Sequence, residues 1–371
     1  MFIYLFIFVV SPILFDVAYT RYRKGQEYKI YIFLSILLLC LISGLRSVEV
    51  GTDVAVYQLS FFNLAKSYDS MIDYCMDANS IEYMYLIINY LVTCFSDSIN
   101  VFFFWIEIVA LSPIYYVAWK CKNIFTPSIV LLVYVTMFYI ETYNVLRQTI
   151  AISYVLLTMY YYYTGQKNKA IIAYIISCLF HTTALIFLLY PLARIVVSYF
   201  KGGKKTIVLL FIFGGILFSS TYYIEIISIV SEWLPFLPAR YIKLYVESIE
   251  FESHFPVVIT VINICCFFMI SYCKYMMKSN RQVVDLLFFM CVLNLSLTGV
   301  ASINMAFARL PWYFQTCDIF IMALFYNLIK KDIASKSVYI STIFSVMLFY
   351  FIYLYVIGLN GNVYPYKFFF E

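Results

Sequence analysis

The stretch Ile30-Tyr31-Ile32-Phe33-Leu34-Ser35-Ile36-Leu37-Leu38-Leu39-Cys40-Leu41-Ile42-Ser43-Gly44-Leu45-Arg46 runs apolar, apart from Ser35 and Ser43, until a guanidinium closes it. A polar island follows at once: Ser47-Val48-Glu49-Val50-Gly51-Thr52-Asp53-Val54-Ala55-Val56-Tyr57. A run of roughly 17–25 such residues reads as a helix crossing hydrocarbon. Arg46 then sits where the helix leaves the bilayer, and Gly51-Thr52-Asp53 turns the chain. A guanidinium, a carboxylate and a phenol therefore converge within a short segment. Its two readings are an interfacial anchor beside a solvated turn, and an anion and sugar site at the membrane surface.

Similar runs recur along the chain, over 2–19, 29–46, 100–119, 124–142, 145–163, 206–224, 256–273, 283–304, 311–329 and 337–357. Hydrophobic residues make up 64% of the sequence and charged residues 12%, with a mean hydropathy of +0.88. The composition predicts an all-α polytopic membrane protein of about 10–12 spans, forming one integral membrane domain over 1–371. The 38 Tyr and 36 Phe exceed what interfacial belts need, so many pack between helices or line a cavity. The net charge of +5 does not point to nucleic acid, because the basic residues collect in short loops. Residues 2–19 read as a retained helix rather than a cleaved signal, since the basic residues Arg21, Arg23 and Lys24 follow the run instead of preceding it.

Taking the basic loops 21–29, 165–169, 201–205, 274–281 and 330–336 as cytoplasmic places the acidic stretches 47–82 and 225–254 outside. Two segments resist simple counting. Ala170–Phe200 has basic flanks on both sides yet is too short to cross twice, so it reads as a re-entrant pair of half-helices with His181 near the tip. Residues 81–95 are also short and read as half-inserted.

A second polar island, Asn144-Val145-Leu146-Arg147-Gln148, lies on the same outer side. On a helix, Asn144, Arg147 and Gln148 would share one face. With Arg46, Arg240 and Arg309, Arg147 belongs to a set of outer-face arginines where basic residues are ordinarily depleted. Their planar forks suit phosphate, so a lipid diphosphate is the ligand chemistry they fit. His181, alone in an apolar stretch, is either a packed histidine or a functional intramembrane group. The ten cysteines show no Cys-x-x-Cys pair and read as small core residues, and two histidines without ligand spacing support no metal site and no cofactor.

The order Gly-Leu-Arg-Ser-x3-Gly-Thr-Asp-x3-Tyr at 44–57, Asn-x2-Arg-Gln at 144–148, Phe-His-Thr-Thr-Ala at 180–184 and then late arginines resembles the Wzy-like, EpsG-like family of bacterial polysaccharide repeat-unit polymerases. The resemblance covers most of the chain. It implies a membrane glycosyltransferase at the outer face of the inner membrane, joining oligosaccharide units carried on undecaprenyl diphosphate for O-antigen, capsule or exopolysaccharide. Membrane lipid, a chain-length regulator and a flippase are the implied partners. Arg46, Tyr57, Asn144, Arg147, Gln148, Arg240 and Arg309 would bind substrate. Asp53 is the first candidate for the base that takes the acceptor's proton, with His181 and Glu82 behind it. A lipid-linked oligosaccharide ligase, a flippase or transporter, and a multi-spanning acyltransferase are the alternatives.

Overall fold

The computed structural model describes residues 1–78, 81–198, 257–301, 309–329 and 332–371. Among them the chain is helical, with a single isolated bridge pairing Arg46 and Phe368. The helices are α1 (Phe2–Arg23), α2 (Lys29–Gly44), α3 (Leu59–Lys66), α4 (Met71–Asp77), α5 (Tyr83–Thr93), α6 (Ile99–Lys120), α7 (Pro127–Tyr134), α8 (Leu146–Tyr163), α9 (Lys167–Phe180), α10 (Leu189–Ser198), α11 (Val257–Met276), α12 (Arg281–Ala301), α13 (Trp312–Leu328) and α14 (Ile333–Phe351). Five described helices are long and apolar enough to cross a bilayer, and shorter apolar helices accompany them. This is an all-α polytopic membrane protein. Residues 206–224, the acidic stretch 225–254 and Arg240 lie outside the described residues.

The chain falls into two compact units: Met1–Ala184 with Met322–Glu371, and Leu185–Ile321. In the first unit the two serines that interrupt the opening run are interior hydrogen-bonding groups. Ser35 Oγ lies 3.0 Å from Ser11 Oγ and 2.7 Å from Tyr115 OH, joining α1, α2 and α6. Ser43 Oγ donates to Glu107 Oε2 on α6 at 3.1 Å. Buried hydroxyls are tolerated in such helices because each finds a partner, and an unmade bond costs about 1–3 kcal/mol.

Most of residues 47–78 is helical. Val54, Gln58, Phe62 and Ala65 are buried at helical spacing, and Phe62 meets Phe102 of α6 at 5.6 Å. The acidic side chains dominate the composition of this stretch, whereas the spacing of its apolar ones decides the fold. The eleven residues of α5 rise about 16 Å, roughly half a hydrocarbon core, in keeping with the short apolar segment expected there.

After α14 the chain does not trail away. A π-helical turn, Ile352–Ile357, leads into a strap that returns over the first motif. Ser47 N donates to Lys367 O at 2.9 Å, Phe369 N to Leu45 O at 3.0 Å, and Gly51 N to Asn362 O at 3.2 Å. Tyr366 OH donates to Ile42 O at 2.6 Å, and Lys367 pairs with Glu49 at 2.5 Å. The second unit contains α10, α11, α12 and the first part of α13.

Candidate active site

The two polar islands lie against each other in the first unit. Gly51, at φ +107°, passes so close to the 143–144 turn that a Cβ there would meet Tyr143 O at 2.3 Å, so only glycine fits. Thr52 donates from N and from Oγ1 to Asn144 Oδ1, at 2.7 and 3.2 Å. Gln58 Nε2 reaches Tyr143 O at 3.5 Å. The sequence pattern expected Asn144 on the same helical face as Arg147 and Gln148, but α8 begins only at Leu146. Asn144 instead stands in the turn after a 3₁₀ segment, Ile140–Tyr143, where its amide anchors the Gly51-Thr52 turn. Gly361 at φ +67° packs on the same amide.

Arg46 is 1% exposed. Its guanidinium lies between the rings of Phe103 and Tyr143, 4.0 and 4.4 Å from their centroids. Nη1 donates to Ser43 Oγ at 3.1 Å and Nη2 to Gln58 Oε1 at 3.1 Å. Ser43 and Thr142 both donate to Glu107 Oε2, at 3.1 and 2.9 Å. The buried arginine thus joins α2, the Gln58 turn and the Tyr143 turn, with a fully buried carboxylate one hydroxyl away. It is a post inside the protein rather than a group displayed at a surface.

A different set of charged groups meets nearby. Glu82, the residue before α5, places Oε2 on Arg147 Nη1 and Oε1 on His181 Nδ1, the latter at 2.9 Å. The Glu82, Arg147 and His181 side chains are 5%, 18% and 14% exposed. Arg147 occupies the second position of α8, beneath the rings of Tyr57 at 5.4 Å and Tyr85 at 5.8 Å. His181 stands where α9 stops, with extended backbone at φ −158° and ψ 120° before the 3₁₀ segment Thr182–Leu188. The expected break at His181 is therefore present. Burial opposes ionisation of Glu82, but the His181 hydrogen bond and the Arg147 and His181 charges outweigh it and hold the carboxyl below the usual range. Glu82 stays an anion between two cation-forming groups.

Asp53 and Tyr57 lie four residues apart on the turn that leads into α3, with Asp53 half-buried and Tyr57 exposed. Gln148 is buried beside Arg147 on α8. Arg309 is exposed in the turn before α13, in the second unit. Glu107 was not singled out from the sequence, although a lone carboxylate inside an apolar span carries the signal that ionisable groups there are functional or structural by default.

A family model described as the EpsG family matches residues 29–368, from the start of α2 to the end of the strap. The chain belongs to the EpsG family. No curated protein and no solved structure matches it. The matched residues include both islands, Glu82, His181 and the strap, so the whole constellation lies inside the EpsG-like region. Membership supports a polysaccharide polymerase-like, glycosyltransferase-like activity.

In chemical terms this EpsG-family site combines an arginine fork fixed by a carboxylate and flanked by rings with an imidazole fixed by the same carboxylate. In the neutral ring, with Nδ1–H donated to Glu82, the imidazole's Nε2 is the proton-accepting nitrogen. One carboxylate thereby orients both a guanidinium and an imidazole.

Proposed function

We propose that this EpsG-family chain is a repeat-unit polymerase acting on oligosaccharides carried on undecaprenyl diphosphate, at the outer face of the bacterial inner membrane. The observation that carries the reading is the Arg147–Glu82–His181 constellation, assembled from three separate stretches of the family match. A hydroxyl of one lipid-linked unit attacks the anomeric carbon of the growing chain. The new glycosidic C–O bond forms as the C–O bond to diphosphate breaks, and the diphosphate departs with the bonding pair.

Charge grows on the leaving diphosphate, and Arg147, already oriented by Glu82, stabilises it without reorganising. Positive charge from arginine makes this step independent of a catalytic metal. His181, oriented by Glu82, takes the hydroxyl proton, which moves the role of base from Asp53 to the imidazole. Asp53 and Tyr57 then bind sugar hydroxyls at the rim. Arg46 acts as a positioning residue that holds the first motif against the second. Arg240 and Arg309 are read from their sequence pattern alone as anion-binding arginines.

Removing the gene product from its native cell distinguishes the rival readings by what accumulates. Loss of a polymerase leaves single repeat units on lipid at the outer leaflet. Loss of a ligase leaves lipid-linked polymer, and loss of a flippase leaves single units at the inner leaflet. Mass spectrometry of lipid-linked sugars, with an impermeant enzyme probe of sidedness, is expected to give the first pattern. Either of the other two contradicts the proposal.

A further inference from the structure

We propose that the second unit holds a zinc-class divalent ion between Cys291, Cys317 and Asp318, with the Cys266 thiol beside them. The ligand atoms of Cys291, Cys317 and Asp318 lie within 4.8 Å of one another, and all three residues are buried. They come from two helices, Cys291 from α12 and Cys317 and Asp318 from α13. Cys266 of α11 is fully buried, with its thiol close to Asp318 and Cys291.

The carboxylate itself points to a ligand. Asp318 is fully buried, the Cys317 thiol donates to its Oδ1 at 3.5 Å, and its Oδ2 has no hydrogen-bond partner. Asn294, three residues beyond Cys291 on α12, is also fully buried with neither amide atom partnered. Buried polar groups nearly always find partners, and a carboxylate among apolar helices is costly without one.

Zinc bonds of about 2.3 Å to sulfur and about 2.0 Å to oxygen imply tetrahedral edges of about 3.5 Å from sulfur to oxygen and about 3.8 Å between sulfurs. The Cys317–Asp318 separation of 3.5 Å already matches the first edge. The thiol-rich set selects zinc-like ions over magnesium or calcium, which take oxygen ligands. On binding, the Cys291 and Cys317 thiols release their protons to solvent. Two thiolates, one carboxylate and a dication then carry a single net negative charge, beside the neutral Cys266 thiol. The ion would clamp α12 to α13 with α11 against the site, a structural role independent of polymerisation.

Full-length protein purified in detergent, exposed to zinc and washed, is expected to retain about one zinc ion per chain. Cobalt in its place should show thiolate charge-transfer and tetrahedral d–d absorption. Cys317→Ser and the nearly isosteric Asp318→Asn should each lower retained zinc about tenfold or more. A readout that needs no variant guards against misfolding: a permeant maleimide should label Cys291 and Cys317 after a permeant chelator but not before. Wild-type protein that retains under about a tenth of an ion per chain, with labelling unchanged by chelator, overturns the proposal. So does full zinc retention in both variants, or a Cys291–Cys317 disulfide in the isolated protein.

Discussion

Arg147→Lys is expected to lower polymerisation about 100- to 1,000-fold, the effect of about 2.7–4 kcal/mol that follows loss of one preorganised electrostatic partner. Lysine keeps the charge and can still approach Glu82, so a site that needed only a cation would tolerate the change. The arginine does more: its planar fork is fixed by Glu82 and lies beneath Tyr57 and Tyr85. That arrangement offers a diphosphate paired, charge-assisted hydrogen bonds that an ammonium cannot reproduce. Glu82→Gln should lose activity comparably, since it unfixes the fork and the His181 ring together. Because the Glu82 carboxyl titrates below its unfolded value, its stabilising contribution is present above the ordinary carboxylate pKa of about 4.3 and is lost as pH falls through the depressed folded value. Activity losses in these variants near neutral pH therefore report the missing groups rather than acid unfolding. Polymer length in cells carrying each variant, with membrane protein level measured alongside, checks this; normal ladders from both would contradict it.

Arg46→Leu should behave quite differently, losing protein before it loses chemistry. Leucine removes the ring contacts and both hydrogen bonds, and it leaves Glu107 buried without the charge of Arg46. Breaking a buried charged network in this way typically costs about 3–5 kcal/mol. The expected result is a marked fall in membrane abundance and in the midpoint of thermal unfolding in detergent. Arg46→Leu with Glu107→Leu should recover much of that loss, because the stranded carboxylate is removed as well, and polymer should recover in step with protein. A normal level of Arg46→Leu protein making no polymer would instead mean that Arg46 contacts substrate directly.

Much of this arrangement was legible in the sequence, for physical reasons that can be named. Apolar runs fix helices wherever bilayer length and composition agree, and α1, α2, α6, α8, α11 and α12 fall within a few residues of the expected spans. Abrupt charge after such a run marks a candidate site, and the islands at 44–57 and 144–148 do interlock. The stop at His181 follows from a polar triplet, His181-Thr182-Thr183, inside an apolar stretch.

Other features were hidden because they join distant parts of the chain. Glu82 and His181 are 99 residues apart, and no local period links a loop carboxylate to a helix end. The strap reaches from Lys367 back to Glu49, a pairing that composition cannot encode. The spacing of Asn144 to Arg147 suits a helix, yet the turn geometry uses its amide to hold Thr52 instead. The thiols of the second unit have no motif spacing, since helix packing brings them together.

The most direct test of the polymerase reading is a reconstitution in liposomes with the purified chain and a single substrate, the repeat unit on undecaprenyl diphosphate, with no nucleotide sugar present. The account predicts a ladder of products spaced by one repeat unit, with one lipid diphosphate released for each linkage formed. Movement of the unit across the bilayer without any new linkage, or transfer only to an added acceptor of another kind, would contradict it.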